Sequence, residues 1–150
     1  MWRAVLFVGI VRALCAATVP LDSGMISGSS GTNAEVQVYK GIPYAAAPVG
    51  DLRWREPQPV AHWDGVRKAD QFGAMCMQAA PRAATTPPKM SEDCLFLNVW
   101  TAAASSSDRR PVMVWIHPGG YQSDGRKFVL AQGLDGDLDG WPTCIDVQAD

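Results

Sequence analysis

Apolar and polar residues alternate over residues 35–39, where Val36 and Val38 stand between Glu35, Gln37 and Tyr39. A period of two is what a half-buried strand requires, so a strand is predicted there. Residues 24–31 are predicted as its hairpin neighbour across a Gly/Ser/Asn turn. Two denser apolar runs follow, residues 95–101 and 111–116, rich in Val, Ile, Trp and Phe and separated by the Ser/Asp/Arg linker 102–110. Both are predicted as strands, the second buried on both faces.

Between these strands the pattern breaks. Gly41, Pro43, Pro48, Gly50, Pro57, Pro59 and Gly65 punctuate aromatic and apolar residues, which excludes a long helix and predicts an ordered, irregular covering segment. Residues 79–90, rich in Ala, Pro and Thr, read as an exposed loop. No stretch before residue 126 carries a 3.6-residue apolar period, so the helices that cover a doubly buried sheet are expected to be missing. Residues 126–150 change character, with Gly133-Leu134-Asp135-Gly136-Asp137-Leu138-Asp139-Gly140 replacing the apolar runs, and are set apart as a divergent acidic tail.

With 47% hydrophobic and 19% charged residues in 150, the chain has a globular composition and material for one core. Its 13 basic and 15 acidic residues leave a formal charge of −2, with no block of like charge, so a nucleic-acid partner is not expected.

The N-terminus opens Met1-Trp2-Arg3, continues as the apolar run 4–11, and ends in Arg12 and the small-residue stretch Ala13-Leu14-Cys15-Ala16-Ala17. Residues 1–17 therefore read as a signal peptide; the other reading is a buried N-terminal strand. The run is too short to span a bilayer, so no membrane association is expected once the signal is removed. The mature chain is then expected to be secreted or periplasmic, with a net charge of −4 after loss of Arg3 and Arg12.

Three cysteines remain in that oxidising setting: Cys76, Cys94 and Cys144. One pair and one leftover is the simplest arithmetic. Cys76 and Cys94 flank the 79–90 loop and could close it; two free buried thiols are the alternative.

The chemistry begins where Val112-Met113-Val114-Trp115-Ile116 runs into His117-Pro118-Gly119-Gly120-Tyr121. Glycines at a strand's end let backbone N–H groups approach a ligand without Cβ obstruction. Such donors, held on a rigid strand end, suit the oxyanion of a tetrahedral acyl-transfer intermediate. A plain turn is the other reading of 117–121.

Three further segments stand in a telling order: Lys40-Gly41-Ile42-Pro43-Tyr44-Ala45, Pro48-Val49-Gly50-Asp51-Leu52-Arg53-Trp54, and Ser91-Glu92-Asp93-Cys94-Leu95-Phe96-Leu97-Asn98-Val99. With the glycine loop they make the chain resemble the type-B, cholinesterase-like carboxylesterases over about residues 20–125. The resemblance implies an α/β fold, here the N-terminal strands of an α/β-hydrolase, incomplete and rich in strands and loops, with 18–125 as the N-terminal part of the domain. It implies hydrolysis of small-molecule carboxylic esters without a cofactor. It also implies that Gly119 and Gly120 supply oxyanion N–H groups, that Cys76 pairs with Cys94, and that Arg53 makes a structural ion pair with Glu92. Pro118 departs from the family's commoner glycine and donates no hydrogen bond.

The family's nucleophile sits in a Gly-x-Ser-x-Gly elbow, followed by an acid and a histidine. No serine here has glycine at both flanking offsets, and His62 and His117 are the only histidines. A complete triad cannot be assembled, so the chain is expected to be inactive alone.

The tail adds a separate possibility. Asp135, Asp137 and Asp139, with Gly140 at position six and Asp146 at position twelve, fit the spacing of a Ca²⁺ loop, and 137–146 resembles the calcium repeats of thrombospondin type-3 modules. A solvated acidic tail is the favoured reading, since position twelve is Asp and no exit helix follows. Two functions stay open: an ester hydrolase present as an N-terminal fragment, or a secreted, non-catalytic cholinesterase-like binding module with a calcium loop.

Overall fold

A computed structural model describes residues 18–79, 89–116 and 143–147. The signal reading at 1–17, most of the 79–90 loop, the segment 117–121 and Asp135, Asp137 and Asp139 lie outside the described residues.

Among the described residues eight strands form two sheets. A small sheet has the order β1-β2-β5, from β1 (Thr18–Leu21), β2 (Gly24–Ser27) and β5 (Val66–Lys68). A larger one has the order β3-β4-β6-β8-β7, from β3 (Ser29–Ser30), β4 (Gln37–Pro43), β6 (Phe96–Thr101), β7 (Val112–Ile116) and β8 (Thr143–Val147). Among the described residues the helical turns are two short 3-10 segments, Gly50–Leu52 and Ser106–Asp108.

The hairpin expected at 24–31 and 35–39 is present in part. β3 pairs antiparallel with β4, matching Ser29 to Val38 and Ser30 to Gln37. The first arm is not one strand: at Gly28 the chain leaves the small sheet for the large one, and a Cβ there would meet the Val38 carbonyl at 2.5 Å.

The second arm runs on to Pro43, through the glycine and proline expected to end it. Tyr39 pairs with Val99 and Ile42 with Leu97, so Lys40 and Gly41 together oppose Asn98 alone. This is a β-bulge, and its extra residue resets the alternation of faces. Tyr39 and Ile42, three apart, therefore reach the same core, where Ile26 and Ala69 of the small-sheet side join them.

β6 divides its side chains between two cores. Trp100 packs with Val36 and Val38 on one face, while Leu97 and Val99 pack against the cluster of Tyr39 and Ile42 on the other. Phe96, Asn98 and Trp100 are the buried alternate positions of the strand.

Two expectations change. β7 is not buried on both faces: Val112, Val114, Trp115 and Ile116 are exposed, and among the described residues no helix covers the sheet there and β7 pairs with β8 alone. The stretch set apart as a tail contributes β8, an interior strand paired with β6 and with β7.

Candidate functional site

Strand direction locates the site. β4 is antiparallel to β6, β6 is antiparallel to β8, and β8 is parallel to β7. β4, β8 and β7 therefore point the same way, and their carboxyl ends, at Pro43, Val147 and Ile116, finish at one edge of the sheet. In sheets of this kind ligands bind outside the carboxyl ends of the parallel strands. His117 follows Ile116 in the sequence, so the segment carrying Gly119 and Gly120 starts from this edge; both glycines lie outside the described residues.

The amino end of β6 meets the same edge, since Pro43 pairs with Phe96. Cys94, two residues earlier, is bonded to Cys76 with the Cα atoms 5.1 Å apart. Just before it, a Glu92 carboxylate oxygen lies 2.6 Å from an Arg53 guanidinium nitrogen. That hydrogen bond and the carboxylate's charge hold the Arg53 guanidinium above its ordinary pKa. Backbone bonds complete the anchor: the Met75 N–H donates to the Lys89 carbonyl at 3.0 Å and the Ser91 N–H to the Met75 carbonyl at 2.9 Å. Residues 75–76 and 89–94 are thus clamped together beside the carboxyl edge.

Asn98, the residue opposite the bulge, was not anticipated as a site residue. Its Oδ1 accepts the Gly41 N–H at 2.8 Å, and the Lys40 N–H donates to the Ala69 carbonyl at 2.7 Å. Both amide groups in the bulge are therefore satisfied, as buried backbone donors must be. The signal was an amide side chain at a core-facing strand position, which needs a partner to be buried.

A cavity of about 220 Å³ opens beside the bulge, lined by Gly41, Gly73, Phe96, Lys89, Ser91 and Asp93 among others. Ser91 there is occupied with its own loop, its Oγ accepting the Asp93 N–H at 3.1 Å. His62 is exposed, its Nε2 4.0 Å from Asp64.

Among the described residues no group of three or more His, Cys, Asp or Glu side chains is placed to hold a metal. Asp146 stands in the middle of β8, opposite Asn98 on one side and Trp115 on the other.

The sequence matches the Carboxylesterase family over residues 16–134. It is 41% identical over 105 residues to the fumonisin B1 esterase of Sphingopyxis macrogoltabida, covering 67% of this chain and 18% of that protein. It is 42% identical over 112 residues to a cocaine esterase of Oryctolagus cuniculus, covering 65% and 21%. The structure superposes on the Geobacillus stearothermophilus carboxylesterase EST55 with a TM-score of 0.70 at 37% identity, covering 87% of this chain and 26% of that one. The chain thus spans about a fifth of the length of the curated relatives it matches. With its strands arranged as in those solved enzymes, the chain belongs to the carboxylesterase family and has the strand-rich architecture of the N-terminal part of an α/β-hydrolase fold.

Proposed function

We propose that this chain supplies the oxyanion-binding strand end, with its flanking disulfide-clamped loop, of a carboxylic ester hydrolase. The observation that supports the reading is the common direction of β4, β8 and β7, which puts Ile116, the residue before His117-Pro118-Gly119-Gly120 in the sequence, at the carboxyl edge of the sheet. In this role the Gly119 and Gly120 N–H groups hold the negative oxygen of the tetrahedral intermediate. Pro118, with no N–H, leaves the task to the two glycines after it.

The substrate class is a small-molecule carboxylic ester, supported by the fumonisin B1 esterase and cocaine esterase among its relatives. These 150 residues hold no Gly-x-Ser-x-Gly elbow, and the chain does not turn over esters by itself. Residues 1–17 act as an export signal, and the Cys76–Cys94 bond suits the secreted or periplasmic setting that follows. Among the described residues no helix is long and apolar enough to cross a membrane.

A chimera tests the role. Residues 18–121 replace the aligned segment of the Geobacillus stearothermophilus carboxylesterase, which brings its own nucleophile. The expected result is ester hydrolysis that falls about 100-fold or more when Gly120→Pro removes one oxyanion donor. A folded chimera without hydrolysis would count against the enzymatic role and favour a non-catalytic binding module.

A further inference from the structure

The Cys76–Cys94 bond lies inside the fold: Cys94 is 2% exposed, Cys76 7% and the neighbouring Met75 4%. Thiol–disulfide exchange needs a thiolate in contact with one of the two sulfurs, so a buried bond reacts only when the chain around it opens.

Besides the bond itself, hydrogen bonds and one ion pair hold that chain closed. The Met75 N–H donates to the Lys89 carbonyl and the Ser91 N–H to the Met75 carbonyl, joining residues 89–91 to residue 75. The Arg53–Glu92 ion pair adds a tie just before Cys94. Its far end is fixed, because Arg53 follows the 3-10 turn Gly50–Leu52 and its N–H donates to the Gly50 carbonyl at 3.2 Å, while the Arg55 N–H donates to the Leu52 carbonyl at 3.1 Å. Glu92 is thereby tethered to a segment 39 positions away that lies outside the disulfide loop.

We propose that the Arg53–Glu92 pair is the latch of a redox-responsive junction. While it is closed the disulfide is shielded from thiols, and reduction waits for residues 89–94 to part from 75–76. In the open state a thiolate of a reducing dithiol attacks one sulfur and forms a mixed disulfide, and the other cysteine leaves as a thiolate that takes up a proton. The reductant's second thiol then displaces the first cysteine, so Cys76 and Cys94 end as thiols and the dithiol is oxidised to a disulfide. Phe96, just beyond Cys94, pairs with Pro43 at the carboxyl edge, so the junction opens beside the candidate site.

Reduction of the oxidised full chain by dithiothreitol tests the latch, with free thiols blocked beforehand and the newly formed thiols alkylated and counted by mass. The folded chain should be reduced roughly 100-fold or more slowly than the same chain unfolded in urea. Glu92→Gln and Arg53→Gln should each speed reduction of the folded chain about two- to fivefold, the strength of a half-exposed ion pair, and the double variant should be no faster than either. The two single variants separate the latch from bulk charge. Removing a carboxylate favours attack by an anionic thiolate and removing a guanidinium disfavours it, whereas breaking the latch speeds both. Asn98→Leu, which weakens the sheet outside the junction, should leave the rate unchanged because the opening is local. Reduction of the folded chain as fast as in urea, single variants without effect or with opposite effects, or an Asn98→Leu rate that rises in step with its lost stability would each overturn the proposal.

Discussion

The Gly41 N–H donates to Oδ1 of Asn98 at 2.8 Å, joining the extra residue of the β4 bulge to a fully buried side chain on β6. Two segments 57 positions apart in sequence are thereby locked into one register. Replacing Asn98 with leucine fills a similar volume but strands the Gly41 donor in the interior. The expected loss is about 2 kcal/mol, the cost of an unpaired buried amide, read as a lowered urea midpoint with unchanged slope.

Gly41 and Gly50 separate steric from conformational cost. Both have positive φ, +67° and +56°, but a Cβ at Gly41 would lie 2.6 Å from the Gln71 carbonyl while Gly50 faces open space. Gly50→Ala should cost about 1 kcal/mol, the left-handed penalty alone. Gly41→Ala should cost clearly more, because backbone must shift as well. Equal midpoints for the two variants would mean that the bulge yields easily.

The register of β4 shows why the sequence was legible only in part. Glu35 to Tyr39 alternate visibly, but continuation to Pro43 depends on a bulge whose donors are satisfied from Ala69 and Asn98, partners remote in sequence. β8 was hidden differently. Thr143, Ile145 and Val147 are β-branched residues at alternate positions, yet the Asp-rich run and Pro142 before them pointed to a loop. The apolar run of β7 read as a doubly buried strand; composition records apolarity but not which of the described elements cover it. The Arg53–Glu92 pair came only from family resemblance, and the flanking positions of Cys76 and Cys94 left their pairing open beside two free thiols, since a pairing is a three-dimensional fact.

The disulfide should stabilise mainly by restricting the unfolded chain. Cys76→Ala combined with Cys94→Ala removes a cross-link spanning 18 positions and should cost about 3 kcal/mol. The unfolding midpoint of the double variant should then match that of the reduced parent protein. A variant as stable as the oxidised parent would show that the bond adds nothing to the fold.

Asp108 gives an acid-side signature. Its carboxylate accepts the Ala104 N–H at 2.8 Å and the Ser105 hydroxyl at 2.9 Å, and these bonds, the backbone one foremost, hold its pKa below the ordinary carboxylate value. A depressed folded-state pKa contributes stability that is fully present above the unfolded value and lost as pH falls through the folded one. Asp108→Asn should therefore flatten the loss of stability below about pH 4. An identical acid limb in parent and variant would contradict the assignment.

The most direct measurement is hydrolysis of a short-chain p-nitrophenyl ester by the full chain, exported to an oxidising compartment, together with labelling by a fluorophosphonate that marks activated serines. With no Gly-x-Ser-x-Gly serine to attack, the expected result is neither turnover nor labelling above a Gly119→Pro/Gly120→Pro control. Stoichiometric labelling of one serine, with hydrolysis that the control lacks, would contradict the account by revealing a working nucleophile within these 150 residues.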